Sequence, residues 1–488
     1  SSENKEYEYH LGDKVYIGSS EYEILSFDEN RVMLYDTGSP LFNKEMTRSD
    51  FDKLVSENPM NEHLQVKENS EPVPENTEEP KIQPSEELNK VQEIPEQTSL
   101  NPPVSSNSKA PIIHADIPIS ERHNFNLNDN EVEYVGKKDR FRRNIMAIQL
   151  LKKSQEENRF ATPEEQVILS KYVGWGGIPE AFDERNLSWS TEYLELLTVL
   201  TPDEYVSARE STLTAFYTPP EVITAIYSSI ENMGFKQGNI LEPSCGIGNF
   251  IGMLPDSMKE SKVYGVELDT ISGSIAQQLY QKHSIAVQGF EETNLPDSFF
   301  DIAVGNVPFG DFKVIDKRYD KHKFLIHDYF FAKTLDKLRP GGVMAFITSK
   351  GTMDKENNSV RKYIAQRAEL LGAIRLPNDT FKGNAGTEVV SDILFLQKRD
   401  RVLDLSPDWV DLAVNDDGIK MNSYFVQHPE MILGEMKMVS GRFGPEATCE
   451  AFENADLGEL LNEAVINIHG EISEYEVADE LDEENNSI

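Results

Sequence analysis

Cysteine is almost missing from this 488-residue chain: Cys245 and Cys449 are its two, far apart and not at metal-ligand spacing. That argues against a disulfide framework or a metal site and makes a reducing cytoplasm the expected setting. No stretch of about 18 apolar residues occurs, so no membrane span is expected. Nor does a charged-then-apolar segment open the chain as a secretion signal would. Basic residues are scarce, 47 Lys and Arg against 85 Asp and Glu, for a net charge of −38. A chain of that charge does not wrap nucleic acid with its whole surface. The deficit is uneven, however, because residues 301–400 hold 17 basic and 13 acidic side chains, leaving 30 and 72 elsewhere. A local phosphate-binding groove is compatible with that balance. The first residue is Ser1 rather than methionine, which reads as a processed or excised fragment.

What is present falls into successive stretches. Residues 1–58 alternate apolar and polar positions, as in Lys14-Val15-Tyr16-Ile17 and Arg31-Val32-Met33-Leu34-Tyr35. This predicts a small β-rich domain closed by a helix near Ser49–Val55. Over 59–119 aromatics vanish while Pro, Glu, Ser and Asn dominate, the composition of a disordered acidic linker. Residues 120–204 read as a helical lead-in, with Ile145, Ile148 and Leu151 on one face. Thr162-Pro163-Glu164-Glu165 is a capping box that opens a second helix there. From 205 to 400 strands and helices alternate, implying an α/β fold with a doubly wound, mostly parallel sheet. Residues 401–488 form an acidic C-terminal extension whose end, from Glu471 to Ile488, reads as an unstructured tail.

The chemistry concentrates in the fourth of these stretches. An apolar strand beginning at Asp301 ends in Asn306-Val307-Pro308-Phe309, an amide, backbone carbonyls and an aromatic suited to a planar exocyclic amine. Earlier, Asn239-Ile240-Leu241 leads into Glu242-Pro243-Ser244-Cys245-Gly246-Ile247-Gly248-Asn249-Phe250. Small residues at such a strand-to-helix turn let a ligand approach the backbone closely. The next strand ends in Glu267, an acid placed to accept both hydroxyls of a ribose. A third leads to Gly289-Phe290-Glu291-Glu292, an aromatic and carboxylates for an adenine ring. Upstream, Phe216-Tyr217-Thr218-Pro219-Pro220-Glu221 reads as a helix start, with Thr218 as N-cap, Pro219 in the first position and Glu221 reaching back. The same turn can line the methionine end of a donor. A glycine turn by itself is equally a tight βα connection, and Asn and Pro are ordinary turn residues. Taken in this order, and with no Walker lysine, the elements suit S-adenosylmethionine better than NAD. An Asn-X-Pro-aromatic element has no role in hydride transfer.

Phe-Tyr-Thr-Pro, then Glu-Pro-Ser-Cys-Gly-Ile-Gly-Asn-Phe, then Asn-Val-Pro-Phe resembles the N6-adenine DNA methyltransferases whose donor site precedes the catalytic motif, over roughly residues 205–400. The stretches from Tyr172 to Phe182 and from Arg375 to Glu388 are similar to the methyltransferase part of the large methylase–helicase proteins of bacterial conjugative elements and plasmids. The resemblance implies a Rossmann-like class I fold dependent on S-adenosylmethionine, and methyl transfer to adenine N6 in duplex DNA with the base flipped out. It implies a restriction-modification or anti-restriction setting on a mobile element, with a helicase region or separate subunit as partner. No SNF2-type helicase follows in this chain. The donor residues it assigns are Phe216, Tyr217, Thr218, Glu242, Pro243, Ser244, Cys245, Gly246, Gly248, Asn249, Phe250, Glu267, Phe290 and Glu291. The catalytic set is Asn306, Val307, Pro308 and Phe309.

The residue types answer a chemical need. The N6 lone pair of adenine is delocalised into the ring, so the amine is a poor nucleophile. Accepting its two N–H bonds, at the Asn306 side-chain oxygen and at a backbone carbonyl, turns the nitrogen toward sp³ and aims the lone pair at the methyl. Phe309 can stack on a base taken out of the duplex. Relatives carry two prolines here, and Val307 stands in for the first. Pro308 biases Val307 toward extended geometry, so the carbonyl can keep its direction. Where relatives place an acid directly before the aromatic, this chain has Gly289, and Glu291 is the expected substitute. Lys313, Lys317, Arg318, Lys321 and Lys323 are candidate phosphate contacts, with a solvated loop as the alternative. Lys137, Lys138, Arg140, Arg142 and Arg143 form a second basic cluster. Trp175 reads as a packing anchor, and Phe381 as either a second aromatic near the base or a core residue. An RNA or protein-amide substrate suits the same motif, and a donor- or DNA-binding module without turnover is the competing class.

Overall fold

The computed structural model describes residues 9–10, 13–17, 20–27, 30–36, 43–64, 117–127, 135–212, 217–381, 389–441 and 444–474. Most of the linker expected at 59–119 lies outside them, as do Phe216, residues 382–388 and the tail beyond 474. The chain divides into two compact units, residues 1–102 and 103–488. Among the described residues no helix is long and apolar enough to cross a membrane, and no cluster of His, Cys, Asp and Glu is placed to hold a metal ion.

In the first unit β1 (Lys14–Ile17), β2 (Ser20–Phe27), β3 (Arg31–Asp36) and β4 (Asn43–Thr47) pair antiparallel in that order. Period-2 alternation turns Val15, Ile24, Val32 and Leu34 inward, where they meet Phe51 and Val55 of α1 (Arg48–Ser56). Thr47 caps that helix by accepting the Asp50 N–H. Fully buried Asn61 donates to Tyr16 O and Val55 O and accepts the Tyr16 N–H at 2.7 Å, tying the following turn to β1.

The second unit opens with α2 (Lys137–Glu156), α3 (Pro163–Ser170), α4 (Ser190–Val199), α5 (Pro202–Ser211) and α6 (Pro220–Asn232). Both Thr162 with Glu165 and Thr201 with Glu204 form reciprocal capping boxes, each with Pro at the first helical position. Phe141, Ile145, Ile148 and Leu151 share the buried face of α2. Against them sits Trp175, 1% exposed and ringed by Phe141, Tyr172 and Phe182. The Asn144 amide holds that loop by donating to Gly174 O and accepting the Val173 N–H. Trp175 is thus a packing anchor, in agreement with its setting between glycines.

The sheet follows as β5 (Asn239–Glu242), α7 (Asn249–Gly252), β6 (Lys262–Glu267), α8 (Thr270–Leu279), β7 (Ser284–Val287), β8 (Phe300–Asn306), α9 (Ile326–Lys337) and β9 (Leu338–Ser349). It is completed by α10 (Gly351–Asp354), α11 (Ser359–Arg367), β10 (Ala368–Arg375) and β11 (Ser391–Lys398). The seven strands lie in the order β10-β11-β9-β8-β5-β6-β7. Strands β5 to β9 run parallel, and β11 is antiparallel to both of its neighbours. This is a doubly wound, mostly parallel α/β sheet, in which strand order reverses between β5 and β8.

Buried amides clasp the lead-in to α8. Gln166 donates to Gln278 O and Leu279 O, Gln278 accepts the Ala161 N–H at 2.6 Å, and Gln281 donates to Ala161 O. Beyond residue 400 the chain keeps packing on the sheet. Strand β12 (Leu412–Val414) pairs with β13 (Lys420–Asn422), and β14 (Gly434–Gly441) with β15 (Gly444–Ala451). Leu433 N bonds Arg375 O, Asn378 N bonds Cys449 O, and Ile472 N bonds Met233 O at 2.8 Å. The acidic composition of this extension reflects a charged outer face over widely spaced buried positions such as Val410, Met421, Phe425 and Met431.

At the end of the strands opposite the glycine turn and Asn306, Asp301 of β8 accepts the Asn239 N–H of β5 and the Arg339 Nε–H of β9, both at 2.7 Å. Gly238 lies so close that a Cβ there would fall 2.2 Å from the Asp301 carboxylate. Asp301→Ala therefore takes from the guanidinium of Arg339, 3% exposed, the carboxylate that it meets at 2.7 Å. We expect a loss of at least about 2 kcal/mol in unfolding free energy, read as a lower urea midpoint at unchanged slope.

Candidate active site

Parallel strands deliver their carboxyl ends to one edge of the sheet. Glu242 ends β5, Glu267 ends β6, Gln288 follows β7 and Asn306 ends β8. The reversal between β5 and β8 is where open α/β sheets leave a crevice for ligands. Gly305 holds the two ends together: its φ is +151°, and a Cβ would sit 3.5 Å from Glu242 Cγ.

The turn after β5 separates into two kinds of residue. Glu242, Pro243, Cys245, Gly248 and Phe250 are buried, whereas Ser244, Gly246 and Asn249 keep accessible surface. Gly246, at φ +56°, faces open space with nothing within 4 Å of a Cβ. Gly248, at φ +88°, instead receives the Tyr280 ring, 2.5 Å from a hypothetical Cβ. The first glycine admits a ligand and the second admits a core tyrosine. Phe250 belongs to the core too, with its carbonyl accepting from Tyr227 OH at 2.6 Å and its ring beside that of Tyr227. The Cys245 thiol is pushed up by burial and by Glu242 and Glu267, which favours its neutral form.

Two acids dominate the electrostatics. Glu267 accepts the Gly246 N–H at 2.8 Å and the Asp269 N–H at 2.9 Å, so its carboxyl is fixed across the glycine turn. Burial and the neighbouring Asp269 push it up to about 7. Glu242, 2% exposed, lies well above the usual carboxylate range because of burial and the charge of Glu267. Its Oε2 has no hydrogen-bond partner, and neither does Gln288 Nε2 after β7. Buried polar atoms are rarely left unpaired, so two such atoms at the ends of β5 and β7, on either side of β6, mark a place for a polar ligand. Leu268, directly after Glu267, is 65% exposed and adds an apolar surface that the sequence reading did not single out.

Thr218 corrects one expectation. The α6 N-cap is Pro219, with no side-chain capping bond, because Pro220 and not Pro219 takes the first helical position. Shifted one residue off the helix, the Thr218 hydroxyl instead accepts from Asn306 Nδ2 at 3.4 Å. That contact turns the amide so that Asn306 Oδ1 is the end left for a ligand. Val307 is buried, and its N–H extends the β8–β9 ladder to Ile347 O at 3.1 Å. Proline at this position would forgo that bond. Tyr217, Pro308 and Phe309 are partly exposed around the same edge.

After β7 the aromatic and the acid exchange the roles expected of them. Phe290 is 2% exposed and packs on Phe330 and Tyr329, with Lys333 Nζ 5.0 Å above its ring. Its face is taken up by α9 and is not offered to an adenine, because the short turn Phe290–Glu292 swings the ring inward. The accessible group is Glu291, whose carboxyl folds back to within 2.4–2.6 Å of where a Cβ on Gly289 would be. Glu291 thus fills the volume that an acid at 289 would occupy. Its carboxyl is raised, chiefly by burial.

The basic candidates also divide. Lys313, Lys317, Lys321 and Lys323 are exposed and make no ion pair among the described residues. Arg318 is committed to Asp297 and Asp336, so it is a loop anchor more than a phosphate contact. Phe381 is 4% exposed and is a core residue. In the second cluster Lys137 pairs with Glu180, Lys138 pairs with Glu192 and covers Trp189, and Arg142 pairs with Asp139. Those cations bind the lead-in to itself.

The N-6 DNA Methylase family model matches residues 201–411, which span the site and the sheet to α11 and beyond. Defense against restriction protein B of Escherichia phage P1 is 32% identical over 268 residues, covering 53% of this chain and 10% of the phage protein. The Type II methyltransferase M.CvrRI of Paramecium bursaria Chlorella virus XZ-6E is 34% identical over 94 residues, 19% of this chain and 24% of that enzyme. The chain therefore spans a tenth to a quarter of the length of these two relatives. Among solved structures, a type I restriction-modification methyltransferase subunit from Streptococcus thermophilus is similar at 14% identity and a TM-score of 0.32, covering 54% of this chain and 79% of that one. The sheet-bearing part of this chain, residues 201–411 with the site at the strand reversal, is thus similar to the N-6 DNA Methylase family.

Proposed function

We propose that this domain transfers a methyl group from S-adenosylmethionine to N6 of adenine in DNA. The observation that carries the reading is Asn306: an amide at the end of β8 whose Nδ2 donates to Thr218, leaving its Oδ1 as the acceptor, on the strand next to Glu242, whose Oε2 has no hydrogen-bond partner.

The residues suit the donor group by group. A buried carboxyl with an orphaned oxygen favours a cationic ligand, since a nearby positive charge stabilises its ionised form. Glu267, held by two backbone N–H groups, has lone pairs left for a ribose diol. Open space at Gly246 admits the ligand against the backbone, and Leu268 and Glu291 flank the place of an adenine ring. When bound, S-adenosylmethionine supplies an electrophilic sulfonium methyl. The chain's own contribution is to hold the amine. Asn306 Oδ1 accepts one N6–H. The Val307 carbonyl, which accepts nothing from the described residues, takes the other. With both N–H bonds so engaged the nitrogen lone pair is localised and directed. The proton released after transfer leaves to solvent along these acceptors, so no strong base is needed. Phe309 supplies a stacking face for the extruded base.

We further read the chain as the methylating segment of a larger anti-restriction or modification system, acting on duplex DNA with a helicase region or a separate subunit. The similarity to a small part of a phage protein named for defence against restriction supports that reading.

Label transfer to duplex DNA tests the function. Asn306→Ala should reduce kcat by at least about a hundredfold with donor KM nearly unchanged, the scale of losing one donor or acceptor at a reacting centre. Thr218→Val, which keeps shape but no longer accepts from Asn306, should cost about tenfold in kcat. Label appearing on RNA or protein alone would sink the DNA reading.

Donor affinity should depend on pH with a definite sign. Because Glu267 is raised to about 7, its carboxylate fills in as pH rises through neutrality, and affinity should increase from about pH 6 to about pH 8. The groups facing it are Asp269, Glu242, Cys245 and Tyr172. A cationic donor favours the ionised form of the acids among them, so binding releases protons and adds to the same trend. Calorimetric titration at several pH values checks this, with Glu267→Gln expected to flatten the profile. A pH-independent affinity in the parent would remove Glu267 from the donor site.

A further inference from the structure

The loop from Val307 to Leu325 presents apolar side chains that nothing else in the molecule explains. Phe312 is 56% and Ile315 59% exposed, although the segment between and after them is firmly pinned. Asp316 receives Tyr329 OH at 2.7 Å and Lys333 Nζ at 3.1 Å. Arg318 grips Asp297 and Asp336, and Ile326 N bonds Phe312 O at 2.9 Å. The Phe312 ring lies back over Gly310, where a Cβ would come within 2.9 Å of it. A loose tip could hide its apolar groups, whereas this one is anchored from beneath and holds them toward solvent.

The surroundings are charged for a polyanion. Lys313, Lys317, Lys321 and Lys323 are exposed and unpaired among the described residues, while the acids of the tip are Asp311 and Asp320. Asp320 is occupied in accepting the Asp316 N–H. Phe312 lies six positions after Asn306, so even fully extended chain keeps them within about 20 Å. Proteins that unstack duplex DNA insert an apolar wedge between base steps and hold the flanking phosphates with cations.

We propose that Phe312, seconded by Ile315, is the wedge that enters the duplex and fills the space left when the target base is extruded. The four lysines grip the phosphates on either side. This rests on the reading of the site as acting on an adenine in DNA. The wedge stabilises the opened duplex and touches no reacting atom, so it is a positioning device.

The experiment uses the whole chain and a duplex containing an adenine that the parent labels, mapped beforehand on mixed-sequence DNA. A second duplex carries an abasic position opposite that adenine, which removes the cost of unpairing it. Phe312→Ala should lower kcat/KM about tenfold or more on the paired duplex and by less than about threefold on the abasic one. With 2-aminopurine in place of the adenine, the parent should brighten on binding and the variant should not. Lys313→Ala with Lys317→Ala should reduce the slope of log affinity against log salt by about 1 to 2. An equal loss on both duplexes, or no loss on either, overturns the wedge while leaving the methylation reading intact. A parent that labels no DNA overturns the methylation reading itself. Exposure of Phe312 makes the variant's folding safe, and an unchanged thermal melt verifies it.

Discussion

The position of Asn306 depends on a carboxylate about one strand-length away. Asp301 ties the start of β8 to β5 through the Asn239 N–H and to β9 through Arg339, and Gly238 gives it room. A slip of one residue in this pairing would turn every side chain of β8 to the other face of the sheet. With the register held, Ile302 and Val304 are buried, Asn306 pairs with Ile347, and its amide comes out beside Thr218 and Glu242. Arg339 also bonds Ser473 O, so the same constraint draws in the end of the described chain. The site is positioned from the side of the sheet opposite to it.

Charge in this protein is arranged by place more than by total. The net −38 suggests poor affinity for a polyanion. Its consequential acids, however, are gathered inside the crevice, where burial raises both Glu242 and Glu267, and the charge of Glu267 raises Glu242 further. Arginines and several lysines are spent on internal pairs such as Arg375 with Asp392 and Asp354, or Lys333 with Asp316. Four exposed lysines without an ion pair among the described residues, Lys313, Lys317, Lys321 and Lys323, lie on the one loop that follows Asn306. A chain can thus be acidic in total and still gather exposed cations on one loop.

Several stretches that look like functional signatures are framework. The segment around Trp175 is a buried aromatic knot held by Asn144. Arg375, which opens the second resembling stretch, is a fully buried cation between two aspartates and over Phe425. The glutamine clasp on α8 left no motif in the sequence, because an amide meeting backbone carbonyls has no characteristic spacing. Those features bring the lead-in against the helix that follows Glu267.

By itself the sequence determined the kind of fold and the order of the site. Alternating strands and helices require a parallel sheet, strand ends carry Glu242, Glu267 and Asn306 to one edge, and the residue types there are those expected for binding a planar amine. These are local and topological facts, written in periodicity and in turn residues. Only tertiary structure decided which side chain of each motif faces the crevice. It sent Gly248, Phe250, Phe290 and Phe381 into the core, left Gly246 open, folded Glu291 over Gly289 and moved Thr218 from a helix cap to Asn306. The physical reason is that orientation in a turn is set by what packs behind it. Tyr280, Phe330 and Pro220 lie tens of residues away or shift the register by one, and neither effect has a signature in the motif itself.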